Sequence, residues 1–146
     1  MNILVLNGPN LNLLGVREPG LYGKADYAAL VNLVEVTCHL EGIQVEIMQS
    51  NHEGALVDAI QEARGRVDGI IINPAAYTHT SIAILDALLA VGIPAVEVHL
   101  TDIALREDFR RNSYASLGCI HTIKGRGLDG YRDALLYLKE HLSAQI

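Results

Sequence analysis

Residues 69–100 read GIIINPAAYTHTSIAILDALLAVGIPAVEVHL, and the order of elements in this stretch decides the architecture. GIII (69–72) is a short apolar run typical of a strand buried on both faces. SIAILDALLAVG (81–92) reads as a helix, and PAVEVHL (94–100) as the next strand. The same alternation continues in both directions. Upstream, NILVL (2–6) is a buried strand, and Leu30, Leu33, Val34, Thr37 and Cys38 recur at helical spacing, with Gly42 placed as a C-terminal cap. IQVEIM (43–48) alternates apolar and polar residues as a strand does. Ser50-Asn51-His52-Glu53 has the spacing of a capping box ahead of a helix carrying Leu56, Ala59, Ile60 and Ala63. Downstream come a short helical piece around 103–111, a fifth strand CIHTI (119–123), and a last helix marked by Leu128, Tyr131, Leu135 and Leu138. Five strands with interleaved helices predict an α/β fold, a doubly wound parallel sheet with helices on both faces. No repeat, linker or low-complexity tract interrupts it, so residues 1–146 read as a single domain.

Composition narrows the function classes. The 146 residues are half apolar, lack tryptophan and carry a formal net charge of −6. A nucleic-acid footprint needs a basic face, which this balance argues against. No apolar run approaches the ~20 residues of a membrane-spanning helix. MNILVLNGPN has neither a basic start nor a small-residue cleavage site, so it does not read as a signal peptide. Cys38 and Cys119 lack CxxC spacing and fit buried free thiols. The expected compartment is the cytoplasm.

Chemistry in an open parallel sheet gathers outside the carboxyl ends of the strands, where strand order reverses. The first strand exits into Asn7-Gly8-Pro9-Asn10-Leu11-Asn12 and then REPGLYG (17–23), whose proline and glycines mark a loop. The third exits into Asn73-Pro74-Ala75-Ala76-Tyr77-Thr78-His79-Thr80-Ser81. The fourth ends with Glu97, His99 and Thr101 on one face, since side chains alternate along a strand. Asparagines, two histidines, a tyrosine and an arginine thus meet at one edge, the profile of a small polar ligand site. No GxxxxGK[ST] is present, which excludes a P-loop. GRGLDG (125–130) matches GxGxxG, but it precedes the last helix and reads better as a glycine turn. His52, His79 and His99 leave different strands without HExxH or a cysteine pair, so no metal is expected.

The blocks NGPNLNLLGVREPGLYG, SNHEG, INPAAYTHTS, EVHLTDIALREDFRRNSY and GLDGYRDAL resemble type II 3-dehydroquinate dehydratase, and they span nearly the whole chain. The resemblance implies a flavodoxin-like fold, cofactor-free loss of water from 3-dehydroquinate to give 3-dehydroshikimate, and a dodecamer built from trimers. It implies that Tyr22 is the base that takes the C2 proton and that Arg17 lowers its pKa. Asn10 then holds a water near the developing enolate oxygen. His99 protonates the departing hydroxyl, with Glu97 orienting its ring. Asn73, Thr101 and the backbone N–H groups of Leu100 and Thr101 bind the substrate carboxylate. His79 and Arg110 hold ring hydroxyls, Arg106 orders the mobile loop, and Asp86 reaches toward a neighbouring subunit's site.

The chain departs from the family pattern at three places. Thr101 stands where serine is usual, Asp102 and Ala104 replace an Asn-x-His, and Leu85 replaces the arginine that commonly precedes Asp86. A different class of reading is a flavodoxin-like binding module for FMN or another small phosphorylated ligand, because fold alone does not fix function. Such a module has no need of His99 opposite a lid tyrosine. The pattern does not separate a role in aromatic biosynthesis from one in quinate breakdown.

Overall fold

Strand β1 (Asn2–Asn7) forms because four consecutive apolar side chains can be buried only if both faces of the strand are covered. Ile3 and Val5 enter one core cluster and Leu4 and Leu6 the other. The computed structural model describes residues 1–16 and 25–145. Within them, α1 (Tyr27–Glu41), β2 (Gln44–Gln49), α2 (Glu53–Glu62), β3 (Gly69–Asn73), α3 (Ile82–Val91), β4 (Ala95–His99), β5 (His121–Lys124) and α4 (Asp129–Ser143) follow in turn. Every strand pair is parallel, and the order is β2-β1-β3-β4-β5. This is the flavodoxin-like, doubly wound order, with its switch point between β1 and β3.

Alternation along the strands sorts side chains between the two layers. Ile3, Val5, Ile71, Val96 and Val98 pack with Leu30, Val34 and Cys38 of α1 and with Tyr131, Leu135 and Leu138 of α4. Leu4, Leu6, Ile70, Ile72 and Ala95 pack with Leu56 and Ile60 of α2 and with Ile84 and Leu88 of α3. Each fully buried side chain of this kind contributes about 1.5–3 kcal/mol through removal of its surface from water.

The helix ends follow from local chemistry. Asp26 caps α1 by accepting from the Ala29 N–H at 2.9 Å, and Ser81 caps α3 by accepting from Ile84 at 2.9 Å. Gly42 and Gly92 close those helices in the left-handed conformation that glycine adopts without cost. The capping box expected at Ser50–Glu53 does not form. His52 is the N-cap and makes no side-chain cap bond, while the Ser50 hydroxyl accepts from the His52 N–H at 3.0 Å. The piece around 103–111 is two short 3-10 turns, Ile103–Leu105 and Asp108–Arg110. β5 begins at His121, two residues later than CIHTI suggests, because the Ile120 N–H bonds the Ala95 carbonyl before the regular ladder begins.

Candidate active site

The exits of β1 and β3 touch directly. Gly8 N–H donates to the Asn73 carbonyl at 2.8 Å, and a Cβ at Gly8 would lie 2.4 Å from the Pro74 carbonyl oxygen. Only glycine admits this approach, which brings Asn10 and the 75–79 turn to the same opening. Asn10 and Ala75 are the non-glycine residues described with positive φ, at 71° and 53°, and both line the opening. Such backbone persists where the surroundings enforce it, and it concentrates at functional sites. Asn10 is held by its N–H donating to Asn51 Oδ1 at 3.0 Å, and Ala75 by its N–H donating to Asn73 Oδ1 at 3.1 Å.

A cavity of about 250 Å³ lies there, lined by Asn10, Asn73, His79, His99, Leu100, Thr101, Arg106 and Arg110 among others. That volume suits a small ligand, since drug-sized pockets run to roughly 300–1,000 Å³. No aspartate or glutamate is among the described lining residues, although the chain is net negative. Two guanidinium groups facing such a cavity favour an anionic guest. Glu107, outside the lining, lies 2.9 Å from Arg110 Nε and 3.8 Å from Arg106 Nε.

Behind the cavity stands a buried couple. Glu97 Oε1 accepts from His99 Nε2, and both side chains are almost wholly enclosed. Oε1 also accepts from Thr78 Oγ1 at 2.7 Å and Ser113 Oγ at 2.6 Å, while Thr122 Oγ1 donates to Oε2 at 3.2 Å. Burial alone pushes the Glu97 carboxyl up, but the bond and charge of His99 and the two hydroxyls outweigh it and hold the pKa below the ordinary value. An ionised Glu97 can only accept, so Nε2 carries a proton and Nδ1 is the ring nitrogen left for a ligand. The His79 pKa is lowered, chiefly by burial, with the charges of His99 and Arg110 adding to it against a bond to the Asn112 carbonyl.

A second polar network anchors Asn73. Its Nδ2 donates to Tyr131 Oη at 3.1 Å, and Tyr131 Oη donates to Asn7 Oδ1 at 2.6 Å. Asn7 Nδ2 reaches Tyr27 Oη at 3.4 Å. Burial pushes the Tyr131 phenol well above the ordinary tyrosine value, so it remains a neutral donor.

The structure therefore gathers Asn10, Asn73, His79, Glu97, His99, Leu100, Thr101, Arg106 and Arg110 at one sheet edge. Tyr22 and Arg17 lie outside the described residues. Asp86 does not line this cavity. It is exposed on α3, on a face that also exposes Ile82 and Leu89, so within one chain it bears no burial cost. Leu85 instead packs against Gly118 of its own chain, where a Cβ would come 3.2 Å from Leu85 Cδ1. Asp102 accepts from the Ala104 N–H at 3.0 Å and lies 3.6 Å from Lys124, which makes it a turn cap. Thr78, Ser113, Thr122, Asn7, Asn51 and Tyr131 all support the site and were not singled out from the sequence. Their signal was present in part, since Thr78 and Ser113 lie in the blocks INPAAYTHTS and EVHLTDIALREDFRRNSY.

Fold and site together define a flavodoxin-like α/β protein with a histidine–carboxylate couple beside a cationic small-ligand cavity. The model of the family Dehydroquinase class II matches residues 1–139, and the chain belongs to that family. It is similar to a catabolic 3-dehydroquinase of Verticillium alfalfae, 51% identical over 96% of this chain and 93% of the relative. It is equally similar, at 51%, to 3-dehydroquinate dehydratase 2 of Pseudomonas putida, over 96% of this chain and 94% of the other. The crystal structure of type II dehydroquinase from Butyrivibrio crossotus superposes with a TM-score of 0.94 at 50% identity, covering 95% of this chain and 97% of that one.

Proposed function

We propose that this chain, as one catalytic domain, removes water from 3-dehydroquinate to give 3-dehydroshikimate through an enolate, without a cofactor. The enzyme is a hydro-lyase, as its family membership and its relatives at about half identity support. The observation that carries the reading is the Glu97-backed His99 set beside Asn73, Arg106 and Arg110 in a cavity without a described acidic lining residue. Asn73, Thr101 and the N–H groups of Leu100 and Thr101 take the substrate carboxylate, and His79 and Arg110 hold the ring hydroxyls. His99, its ring oriented by Glu97, protonates the leaving hydroxyl from Nδ1.

The base is Tyr22, reached along the chain from the turn that carries Asn10. A free phenol has a pKa of about 10, so roughly one in a thousand is ionised near neutrality. The guanidinium of Arg17 favours the phenolate and raises that fraction. Asn10 steadies a water at the enolate oxygen, and stabilising that charge makes proton removal beside the ketone feasible. Arg106, in the cavity wall, takes the role of ordering the loop that carries Tyr22.

The proposed assembly is the trimer-based dodecamer that the family resemblance implies, and the outer face of α3 supports it. Ile82 and Leu89 are 55% and 61% exposed on its outer face, flanking Asp86. Covering that face in a trimer, four of which form a dodecamer, would bury the leucine and carry Asp86 to a neighbour's cavity. A fully active monomer in light scattering would refute the shared site. No described helix is long and apolar enough to cross a membrane, and the cytoplasm is the proposed location. The reaction is tested by adding 3-dehydroquinate and following the conjugated enone in the ultraviolet. Tyr22→Phe should lower kcat by at least roughly 10²–10⁴-fold, the usual worth of a positioned general base. Near-normal turnover by that variant would remove Tyr22 from the base role.

A further inference from the structure

Glu97 lies at 0% exposure on β4, and its partners come from three separate parts of the chain. Thr78 belongs to the turn leaving β3, Ser113 to the segment after the second 3-10 turn, and Thr122 to the neighbouring strand β5, directly across from Glu97 in register. The 112–114 segment is fastened to the 78–79 turn on both sides of Ser113. Tyr114 N–H donates to the Thr78 carbonyl at 2.7 Å, and His79 Nδ1 lies 2.7 Å from the Asn112 carbonyl. Ser113 Oγ accepts from the Ser116 N–H at 3.1 Å and lies 2.6 Å from Thr78 Oγ1. Three oxygens, Thr78 Oγ1, Ser113 Oγ and Glu97 Oε1, thus form a closed triangle with sides of 2.7 Å or less.

Each hydroxyl has one proton to give. Accepting from the Ser116 N–H leaves the Ser113 proton free to donate, and the ionised Glu97 Oε1 at 2.6 Å is an acceptor that has no proton to give back. The same oxygen that takes these donors also takes His99 Nε2, so the hydroxyls and the imidazole compete for one anionic charge.

We propose that Ser113 and Thr78 are positioning residues that fix the Glu97 carboxylate and set the proton affinity of the Glu97–His99 couple. This rests on the reading of His99 as the acid in the dehydration. Hydroxyl donation favours the couple most when it is fully deprotonated, less when His99 is cationic, and least when Glu97 is also protonated. Removing a hydroxyl therefore raises both apparent pKa values of the couple. Without the donors His99 would hold its proton more tightly and give it up less readily. Among the described residues, the other charged or titratable groups facing the couple are His79 from the 75–79 turn, Arg110 and Arg106 from the cavity wall, and Cys119 ahead of β5. Burial, with a smaller contribution from Glu97, pushes the Cys119 thiol up to about 12, so it stays neutral and does not compete.

The test is an NMR titration of the His99 ring in ligand-free protein, run beside the pH profile of kcat with 3-dehydroquinate. Ser113→Ala and Thr78→Val should each move the His99 titration upward and carry the basic limb of kcat with it. Loss of a hydrogen bond to a charged group corresponds to roughly 10-fold or more in an equilibrium, and kcat should fall by a comparable factor. Thr78→Ser keeps a hydroxyl and should restore the wild-type titration; should Ser113→Ala not fold, the Thr78 pair carries the test alone. A folded variant whose His99 titrates as in the wild type overturns the proposal, even if its KM or melting temperature changes. A shifted His99 in a protein that leaves 3-dehydroquinate untouched supports the positioning role and overturns the functional reading instead.

Discussion

The phenol of Tyr131 is the one donor and acceptor that joins two asparagines at the sheet's switch point. Tyr131→Phe deletes that oxygen and changes little else in the packing, because the ring remains among Leu135, Leu138 and Val98. The deletion leaves Asn7 Oδ1 without its 2.6 Å donor and Asn73 Nδ2 without its 3.1 Å acceptor. Asn7 is 0% and Asn73 3% exposed, so water cannot replace the hydroxyl without rearrangement. A buried polar group left unsatisfied costs about 1–3 kcal/mol. Two such groups, offset by the desolvation that the phenol no longer suffers, give a loss of about 2–4 kcal/mol. For a chain of this size each kcal/mol shifts the melting temperature by roughly 2–4 °C, so the drop should fall between roughly 5 and 15 °C. Thermal unfolding at fixed protein concentration measures it, since the proposed assembly would make the midpoint concentration-dependent. Asn73 would also lose the bond that holds its amide toward the cavity, so KM should rise by about 5-fold, the worth of a single ordinary hydrogen bond. An unchanged midpoint and an unchanged KM would show that the phenol carries neither load.

Further outcomes follow from the same geometry. Gly8→Ala places a methyl against the Pro74 carbonyl at 2.4 Å, backbone that cannot step aside as a side chain can. It should cost about 1–3 kcal/mol as overpacking and displace the Asn73 exit; a variant with wild-type turnover would mean that the two exits tolerate separation. Acid should destabilise the fold in two stages. His79 has a folded pKa below its unfolded value, so the unfolded chain takes up its proton first and stability falls as pH drops from about 6.5. Glu97 also has a folded pKa below its unfolded value, so its contribution is complete above about 4.3 and is lost as pH falls through the folded value. His79→Gln should flatten the upper stage of a urea-midpoint-against-pH curve and Glu97→Gln the lower one; curves parallel to the wild type would refute both assignments.

The sheet was legible because its signals are local. Ile70, Ile71 and Ile72 in a run, Gly92 after an apolar helix, and the Glu97-x-His99 alternation each announce themselves within a few residues. Asn10, Asn73, His79 and His99 were legible as a site because a parallel sheet sends all its strand exits to one edge. Tyr131 was legible only as an apolar ring at helical spacing in α4. Its hydroxyl acquires a role through Asn7, 124 positions away, and that pairing depends on β1 and β3 aligning Asn7 with Asn73 in register. A one-residue slip would have turned one of the two amides to the opposite face. Ser113 was hidden for a related reason. Its segment reads as polar loop, and only the ladder of bonds from 112–114 to the 78–79 turn carries its hydroxyl over the end of β4. In each case the chemistry-bearing residue is visible in the chain, whereas the residue that aims it is defined by a long-range contact. Positioning residues of this kind therefore emerge from register and tertiary bonding, and a polar side chain inside an apolar helix stripe, as Tyr131 is, marks where to look for one.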